Sequence, residues 1–148
     1  MNEYITQIIM ASLGALGYSL LFNVRSDKLL HTTIGGGFTW IVYIIISQFT
    51  DNVFICNMVS SSFSTLYSEL LARLKKAPAT CYLIPSVIPL IPGGGLYYTM
   101  SSIISNDRLL FEHYFTNTIQ TALGISIGIM IMSLIGIKII KRSIYTIK

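Results

Sequence analysis

The residues best suited to bind a ligand lie in a proline- and glycine-rich segment, residues 85–98, inside a strongly apolar stretch. Its prolines lack backbone donors and its glycines have low helix propensity, so we expect a helix here to kink or unwind between about 84 and 96. Backbone left unpaired at membrane depth is tolerated only where it is buried in protein or lines a wet cavity. That condition is typical of transport sites.

A half-helix that begins after Gly95 would present free amides and the positive end of its dipole toward the middle of a membrane. Such an end can hold a carboxylate without a buried Lys or Arg. The candidate substrate-binding residues of this segment are Pro89, Pro92, Gly93, Gly94, Gly95, Tyr97 and Tyr98. We predict that the three glycines lie closest to another helix or to a cavity. A break that merely accommodates a neighbouring helix fits the same pattern.

A second group of polar residues crowds into residues 57–69. At helical spacing they form one stripe with two flanking residues: Asn57, Ser61, Ser64 and Ser68, flanked by Thr65 and Glu69. The stripe could serve helix packing, since small hydroxyl residues let backbones approach, or it could line a polar pathway. The two interpretations are compatible, and the second makes Ser61, Ser64 and Ser68 candidate substrate-binding residues.

Glu69 is the one carboxylate that falls inside a predicted span, which makes it a candidate for proton coupling. It also lies four residues before Arg73, so an ion pair at the membrane interface is the alternative. No group of His and Cys residues has metal-ligand spacing, and we expect no metal and no cofactor.

These residues must be positioned by membrane helices, because the composition excludes an ordinary soluble domain. The chain has 148 residues, of which 53% are hydrophobic and only 11% are charged, and its mean hydropathy is +0.68. Hydropathy predicts a single all-α transmembrane domain over residues 1–148, with five spans at about 4–22, 29–49, 53–73, 80–104 and 115–137. The first span lacks a basic leader and is too long for a cleaved signal.

The charge distribution predicts the orientation, since short basic loops stay in the cytoplasm. Nine basic residues follow the first, third and fifth spans: Arg25, Lys28, Arg73, Lys75, Lys76, Lys138, Lys141, Arg142 and Lys148. Only Arg108 lies on the other side. We therefore predict the N-terminus outside and the C-terminus inside. The net charge of +4 is explained by topology, and nucleic acid is not an expected partner.

Small residues in the remaining spans indicate close helix packing. Gly124 and Gly128 form a G-x-x-x-G pair in the fifth span. Three consecutive glycines, Gly35, Gly36 and Gly37, lower the helix propensity of the second span. They form either a second helix break or a surface on which the broken fourth span packs. The abundance of such faces predicts a homo- or hetero-oligomer.

Three stretches together resemble a known family: Gly-Tyr-Ser-Leu-Leu-Phe-Asn-Val at 17–24, Thr-Ile-Gly-Gly-Gly at 33–37, and Pro-x-x-x-Pro-x-x-Pro-Gly at 85–93 with Tyr97 shortly after. This combination resembles the threonine/serine exporter family. Over essentially its whole length the chain is similar to the small five-span subunit of the two-component form, which corresponds to the C-terminal membrane half of the single-chain exporters.

The resemblance implies an exporter of small metabolites in the bacterial inner membrane, driven by the proton gradient. Threonine and serine are the substrates in one branch of the family and the dicarboxylate succinate in another. It also implies a larger membrane subunit as partner. An accessory or scaffold protein without its own solute pathway is the alternative. An enzyme is least expected, because no nucleophile and base, carboxylate pair or metal set converges at one level of the bilayer.

Overall fold

The computed structural model describes residues 2–146, with side chains over residues 3–136. In this part of the chain all regular structure is helical, which confirms the all-α prediction. The helices are α1 Asn2–Leu21, α2 Ser26–Ser47, α3 Val53–Lys75, α4 Thr80–Val87, α5 Gly93–Ile104 and α6 Arg108–Thr146. A short 3-10 helix, Ile88–Leu90, directly follows α4.

Three of the described helices, α1, α2 and α6, are each long and apolar enough to cross a membrane. α4 with its 3-10 helix, taken together with α5, is also long and apolar enough to cross a membrane. The two parts meet at a bend of 49°. That gives three candidate spans, or up to four if the bent pair is one span. α3 has 23 residues but is too polar to be counted, so five spans remain a prediction.

Two helices begin before the positions suggested by the sequence. α6 begins at Arg108, ahead of the predicted span at about 115–137, because the Asp107 carboxylate accepts a hydrogen bond from Leu110 N at 3.2 Å and caps the first turn. α5 begins at Gly93 and not after Gly95. Glycine costs only about 1 kcal/mol per residue in a helix relative to alanine, and the adjoining apolar run continues the helix.

Three helices end at a residue in the left-handed conformation: Asn23 after α1, Lys76 after α3 and Asn106 after α5. In each case the next amide donates to a carbonyl five residues back, as in Val24 N to Ser19 O at 2.9 Å. This Schellman geometry satisfies terminal carbonyls and reverses the chain in a few residues. Successive helices are therefore adjacent in the bundle.

α3 packs against α2, α4 and α6, and its interface with α6 is the most extensive among the described helices. Nearly all of its buried residues are small and polar: Cys56, Asn57, Ser60, Ser61, Ser64, Thr65 and Ser68. Gly124 of α6 lies against the Phe54 carbonyl, and Gly128 lies against Ser61 and the Met58 carbonyl. Its polar character is thus directed mainly at protein, which explains why α3 is less apolar than the helices that qualify as candidate spans.

The three consecutive glycines do not interrupt α2, which is continuous from Ser26 to Ser47. A Cβ on Gly35 would overlap Ser86 of α4, and one on Gly36 would come within 2.5 Å of Ala15 Cβ of α1. A Cβ on Gly37 would come within 2.5 Å of Ser12 Oγ, also of α1. The triplet therefore lets α1 and α4 approach α2 from two sides.

The described basic residues after α1 and after α3 lie at one end of the bundle. Lys28 Nζ at the start of α2 lies 5.9 Å from the ring centre of Tyr82 in α4, so the two helix starts are neighbours. Arg108, the first residue of α6, lies at the opposite end of the bundle. The side chains of Lys138, Lys141, Arg142 and Lys148 lie outside the described residues. The orientation in the membrane remains a prediction.

Candidate functional site

The helix interruption covers two residues between the 3-10 helix and α5. Ile91 is extended, with φ −64° and ψ 126°, and Pro92 has φ −78° and ψ 58° before the helix resumes at Gly93. Ile91 N donates to Ile88 O at 3.1 Å, and Gly93 N donates to Ile91 O at 2.8 Å. Pro92 has no N–H to donate. The chain thus changes direction without leaving either amide unpaired.

A cavity of about 180 Å³ lies beside this interruption. It is the place where α2, α3, α6 and the interrupted backbone meet. Its lining residues are Trp40, Tyr43, Asn57, Pro89, Leu90, Ile91, Pro92 and Thr121. This volume is smaller than the roughly 300–1,000 Å³ of pockets that hold drug-sized ligands, and it suits a metabolite of amino-acid size.

The wall of this break cavity is uncharged and combines aromatic surface with a few polar groups. Trp40 and Tyr43 stack with ring centres 5.0 Å apart and an interplanar angle of 18°. Asn57 and Thr121 are both buried, at 2% and 7% exposure. Neutral polar groups in an otherwise apolar cavity can orient a small polar solute without holding it irreversibly.

A second cavity, of about 300 Å³, lies on the α1 side. It shares Trp40 and Pro89 with the break cavity, and its other lining residues are Gln7, Met10, Ala11 and Gly14. The indole Nε1 of Trp40 donates to Gln7 Oε1 at 3.4 Å, which holds the ring on the α1 side. Trp40 and Pro89 therefore form the partition between the two cavities.

Of the residues predicted in the proline- and glycine-rich segment, Pro89 and Pro92 line the break cavity. The three glycines were predicted to lie closest to another helix or to a cavity, but an added Cβ on Gly93 or Gly94 would meet nothing within 4 Å, and neither residue lines the break cavity. Only Gly95 is close to a neighbour, since its Cβ would come within 2.5 Å of Thr118 Oγ1 in α6. The helix start turns the first two glycines away from the bundle.

The two tyrosines after the glycines lie on the outside of the described bundle. Tyr97 is 68% exposed and Tyr98 is 51% exposed. Tyr98 stacks on Tyr114 of α6 at a centroid distance of 5.1 Å. Neither tyrosine lines the break cavity. Their positions suit membrane-interface anchoring or contact with another helix.

The predicted stripe on α3 is divided in the structure. Ser61 lies against Gly128 of α6, and its hydroxyl donates to Met58 O at 3.1 Å. Ser68 donates to Ser64 O at 2.8 Å, while Ser64 Oγ is buried and has no hydrogen-bond partner among the described residues. None of these serines lines the break cavity, and from this stripe only Asn57 reaches it.

Glu69 lies about 18 Å along α3 from Asn57, by the rise of about 1.5 Å per residue. Its carboxylate packs against Gly136 of α6 and lies 3.7 Å from Arg73 Nη2. Arg73 Nη2 also donates to Gly136 O at 3.1 Å. This geometry matches the ion-pair interpretation and joins the end of α3 to α6. A cavity of about 300 Å³ lies beside this pair and is lined by Glu69, Ala72, Arg73, Ala77 and Ala79.

Sequence reasoning did not assign Trp40, Tyr43 and Thr121 to a site. Trp40 and Tyr43 fall inside the predicted second span, and the sequence alone favours a role as packing residues or interface anchors over one in a ligand site. Thr121 is one of several hydroxyl residues in α6, and its sequence context carries no distinguishing signal. Only the packing of α6 against α3 brings it to the cavity.

The apolar helices and the bent pair define a helical membrane protein with a small uncharged cavity beside its helix break. The family model described as "Threonine/Serine exporter, ThrE" matches residues 7–135. The chain therefore belongs to the threonine/serine exporter family, a family of transporters and not of enzymes, as its sequence motifs predicted. No solved structure matches it.

Proposed function

We propose that this chain is a subunit of a membrane exporter of small carboxylate metabolites and that the break cavity lies on the substrate path. The observation that carries the proposal is the cavity itself, at the junction of three helices and an interrupted one. Threonine and serine are the substrates that the family name supports. A dicarboxylate such as succinate is the second substrate class considered.

The substrate carboxylate would bind where α5 begins. The amides of Gly94 and Gly95 lie in the first turn of α5, where backbone N–H groups have no carbonyl acceptor within the helix. The positive end of the helix dipole favours an anion there. Pro92, which precedes this turn, is part of the cavity wall. The carboxylate of a substrate in the cavity could therefore reach these amides and be bound by them, with no basic side chain needed to hold it.

The finer features of the proposal concern topology and partners. We propose that α3 is also a span, enclosed by its neighbours, which gives five spans with the N-terminus outside and the C-terminus inside. The protein would reside in the bacterial inner membrane, export in exchange for protons, and function with a larger membrane subunit or as an oligomer. Many large apolar side chains on the outside of the described bundle, such as Leu109 at 81% exposure, suit contact with lipid or another subunit.

An accessory or scaffold role is the second candidate. The open positions at Gly93 and Gly94 favour it, because a neighbouring helix could approach the backbone there without meeting a side chain. In that case the break would serve assembly and the cavity would carry no solute.

Filling the cavity separates the two candidates. Thr121→Leu replaces a small buried residue of the wall with a larger apolar one, whereas Thr116→Leu changes an exposed position of the same helix. Export of labelled threonine and serine would be measured from cells that contain the complete exporter, with membrane insertion followed by immunoblot. We expect Thr121→Leu to abolish export and Thr116→Leu to preserve it. Normal export by inserted Thr121→Leu would contradict a substrate path through this cavity.

A further inference from the structure

The Tyr43 hydroxyl has no hydrogen-bond partner among the described residues, but the other side-chain donors of the break-cavity wall already donate to other groups. Asn57 Nδ2 donates to Val53 O at 2.8 Å, and the Thr121 hydroxyl donates to Asn117 O at 2.9 Å. The Trp40 indole N–H donates to Gln7. Pro89 and Pro92 have no N–H.

The acceptors of the same wall remain available. With Nδ2 turned to a backbone carbonyl, Asn57 Oδ1 is the free end of the amide, and it has no hydrogen-bond donor among the described residues. Thr121 Oγ1, whose proton is already donated, keeps its lone pairs. The stacked faces of Trp40 and Tyr43 add aromatic surface, which attracts cations. A wall with free acceptors and few free donors favours a donor-rich, positively charged group.

We propose that Asn57 and Thr121 form the subsite for the substrate's ammonium group, with Asn57 as its specificity-determining residue. The inference rests on the proposed function, since it requires that substrate occupies the break cavity. The ammonium N–H groups would donate to Asn57 Oδ1 and Thr121 Oγ1 below the Trp40 ring. A dicarboxylate lacks such a donor group and would place a negative charge against these acceptors. Recognition therefore selects α-amino acids and rejects succinate.

The experiment compares ligands that differ only at the amino group. The complete exporter in lipid nanodiscs would be titrated with threonine, with β-hydroxybutyrate, which lacks the amino group, and with N-acetylthreonine, whose nitrogen is uncharged. Binding would be measured by displacement of labelled threonine. We expect both analogues and succinate to bind on the order of tenfold to a hundredfold more weakly than threonine, since hydrogen bonds to a charged group are stronger than neutral ones.

Substitutions then locate the effect. Asn57→Leu should reduce threonine affinity to that of β-hydroxybutyrate and leave the analogue's affinity unchanged. Asn57→Asp keeps the size and the acceptors, so it should retain or increase the preference for threonine, and it serves as the test if Asn57→Leu does not fold. Ser60→Ala is the matched control, because this buried α3 hydroxyl donates to Cys56 O at 2.7 Å and does not line the cavity.

The outcomes separate the two proposals. If threonine binds, Thr121→Leu blocks it, and β-hydroxybutyrate binds equally well, the cavity is the substrate site but the ammonium subsite is refuted. Loss of the preference for threonine in Asn57→Asp would also refute it. If Thr121→Leu leaves threonine binding intact, or if the complete wild-type exporter binds no threonine, the substrate does not occupy this cavity and both proposals fail.

Discussion

Gly94 and Gly95 offer a matched pair of substitutions at the start of α5. Changing either glycine to alanine adds one methyl group and raises helix propensity by up to about 1 kcal/mol. The surroundings differ, however. The new Cβ meets nothing within 4 Å at position 94, but at position 95 it comes within 2.5 Å of Thr118 Oγ1. The difference between the two variants therefore isolates the contact between α5 and α6.

We expect Gly95→Ala to be less stable than Gly94→Ala by about 1–2 kcal/mol. Overpacking typically costs about 1–3 kcal/mol. Thr118 can reduce that cost by rotating, but its hydroxyl then loses the 2.7 Å hydrogen bond to Tyr114 O. Such a bond is worth about 0.6 kcal/mol within a membrane protein. Gly94→Ala should unfold like the wild type or slightly later.

The assay is unfolding of the purified chain in lipid, together with threonine export by cells containing each variant. Thr118→Ala removes the overlapping oxygen, so adding it to Gly95→Ala should restore most of the lost stability, as a double-mutant cycle would report. Equal stabilities of the two glycine variants, or no recovery in the double variant, would refute the packing of Gly95 on α6. Loss of export in Gly94→Ala with normal stability would point to ligand contact at the open glycine.

Three further outcomes are expected. Gly128→Ala should cost about 1–3 kcal/mol of stability in a denaturation assay, since its Cβ would overlap Ser61 and the Met58 carbonyl. Ser61→Ala should change stability by less than about 1 kcal/mol in the same assay. Glu69→Gln should leave the pH dependence of export unchanged if the carboxylate only pairs with Arg73, and a shifted pH profile would instead support proton coupling. A reporter fused after Lys148 should be active only in the cytoplasm, and periplasmic activity would overturn the orientation.

The helices could be predicted from sequence because apolar runs and terminators are local features. The starts of α2 and α3 lie within a few residues of the predicted spans, since Asn52 caps α3 by accepting from Phe54 N at 3.0 Å. The polar stripe of α3 could not be assigned in the same way. Residues at helical spacing share a face, but which neighbour covers that face depends on the packing of all helices. Ser61 consequently lies against α6 while Tyr67 reaches the His31 carbonyl in α2.

The site was predictable only in its backbone component. Proline and glycine change local hydrogen bonding wherever they occur, so Pro89 and Pro92 could be recognised from the sequence alone. The side chains that complete the cavity come from other helices: Trp40 and Tyr43 lie about 50 residues earlier and Thr121 about 30 later along the chain. Their common feature is three-dimensional proximity, which periodicity within one helix does not encode.

The position of the cavity follows from the change of packing partners at the break. α4 and the 3-10 helix pack against α1, α2 and α3, whereas α5 packs mainly against α6. A straight helix from Thr80 to Ile104 would continue along the first set of helices, so the 49° bend is what brings α5 to α6. At the bend the backbone has left α1, α2 and α3 but has not yet reached α6. Side chains from these two sets of helices therefore do not fill the gap beside the bend. Pro89–Pro92 lies at that point, and so the interruption both redirects the helix and opens the cavity beside Asn57 and Thr121.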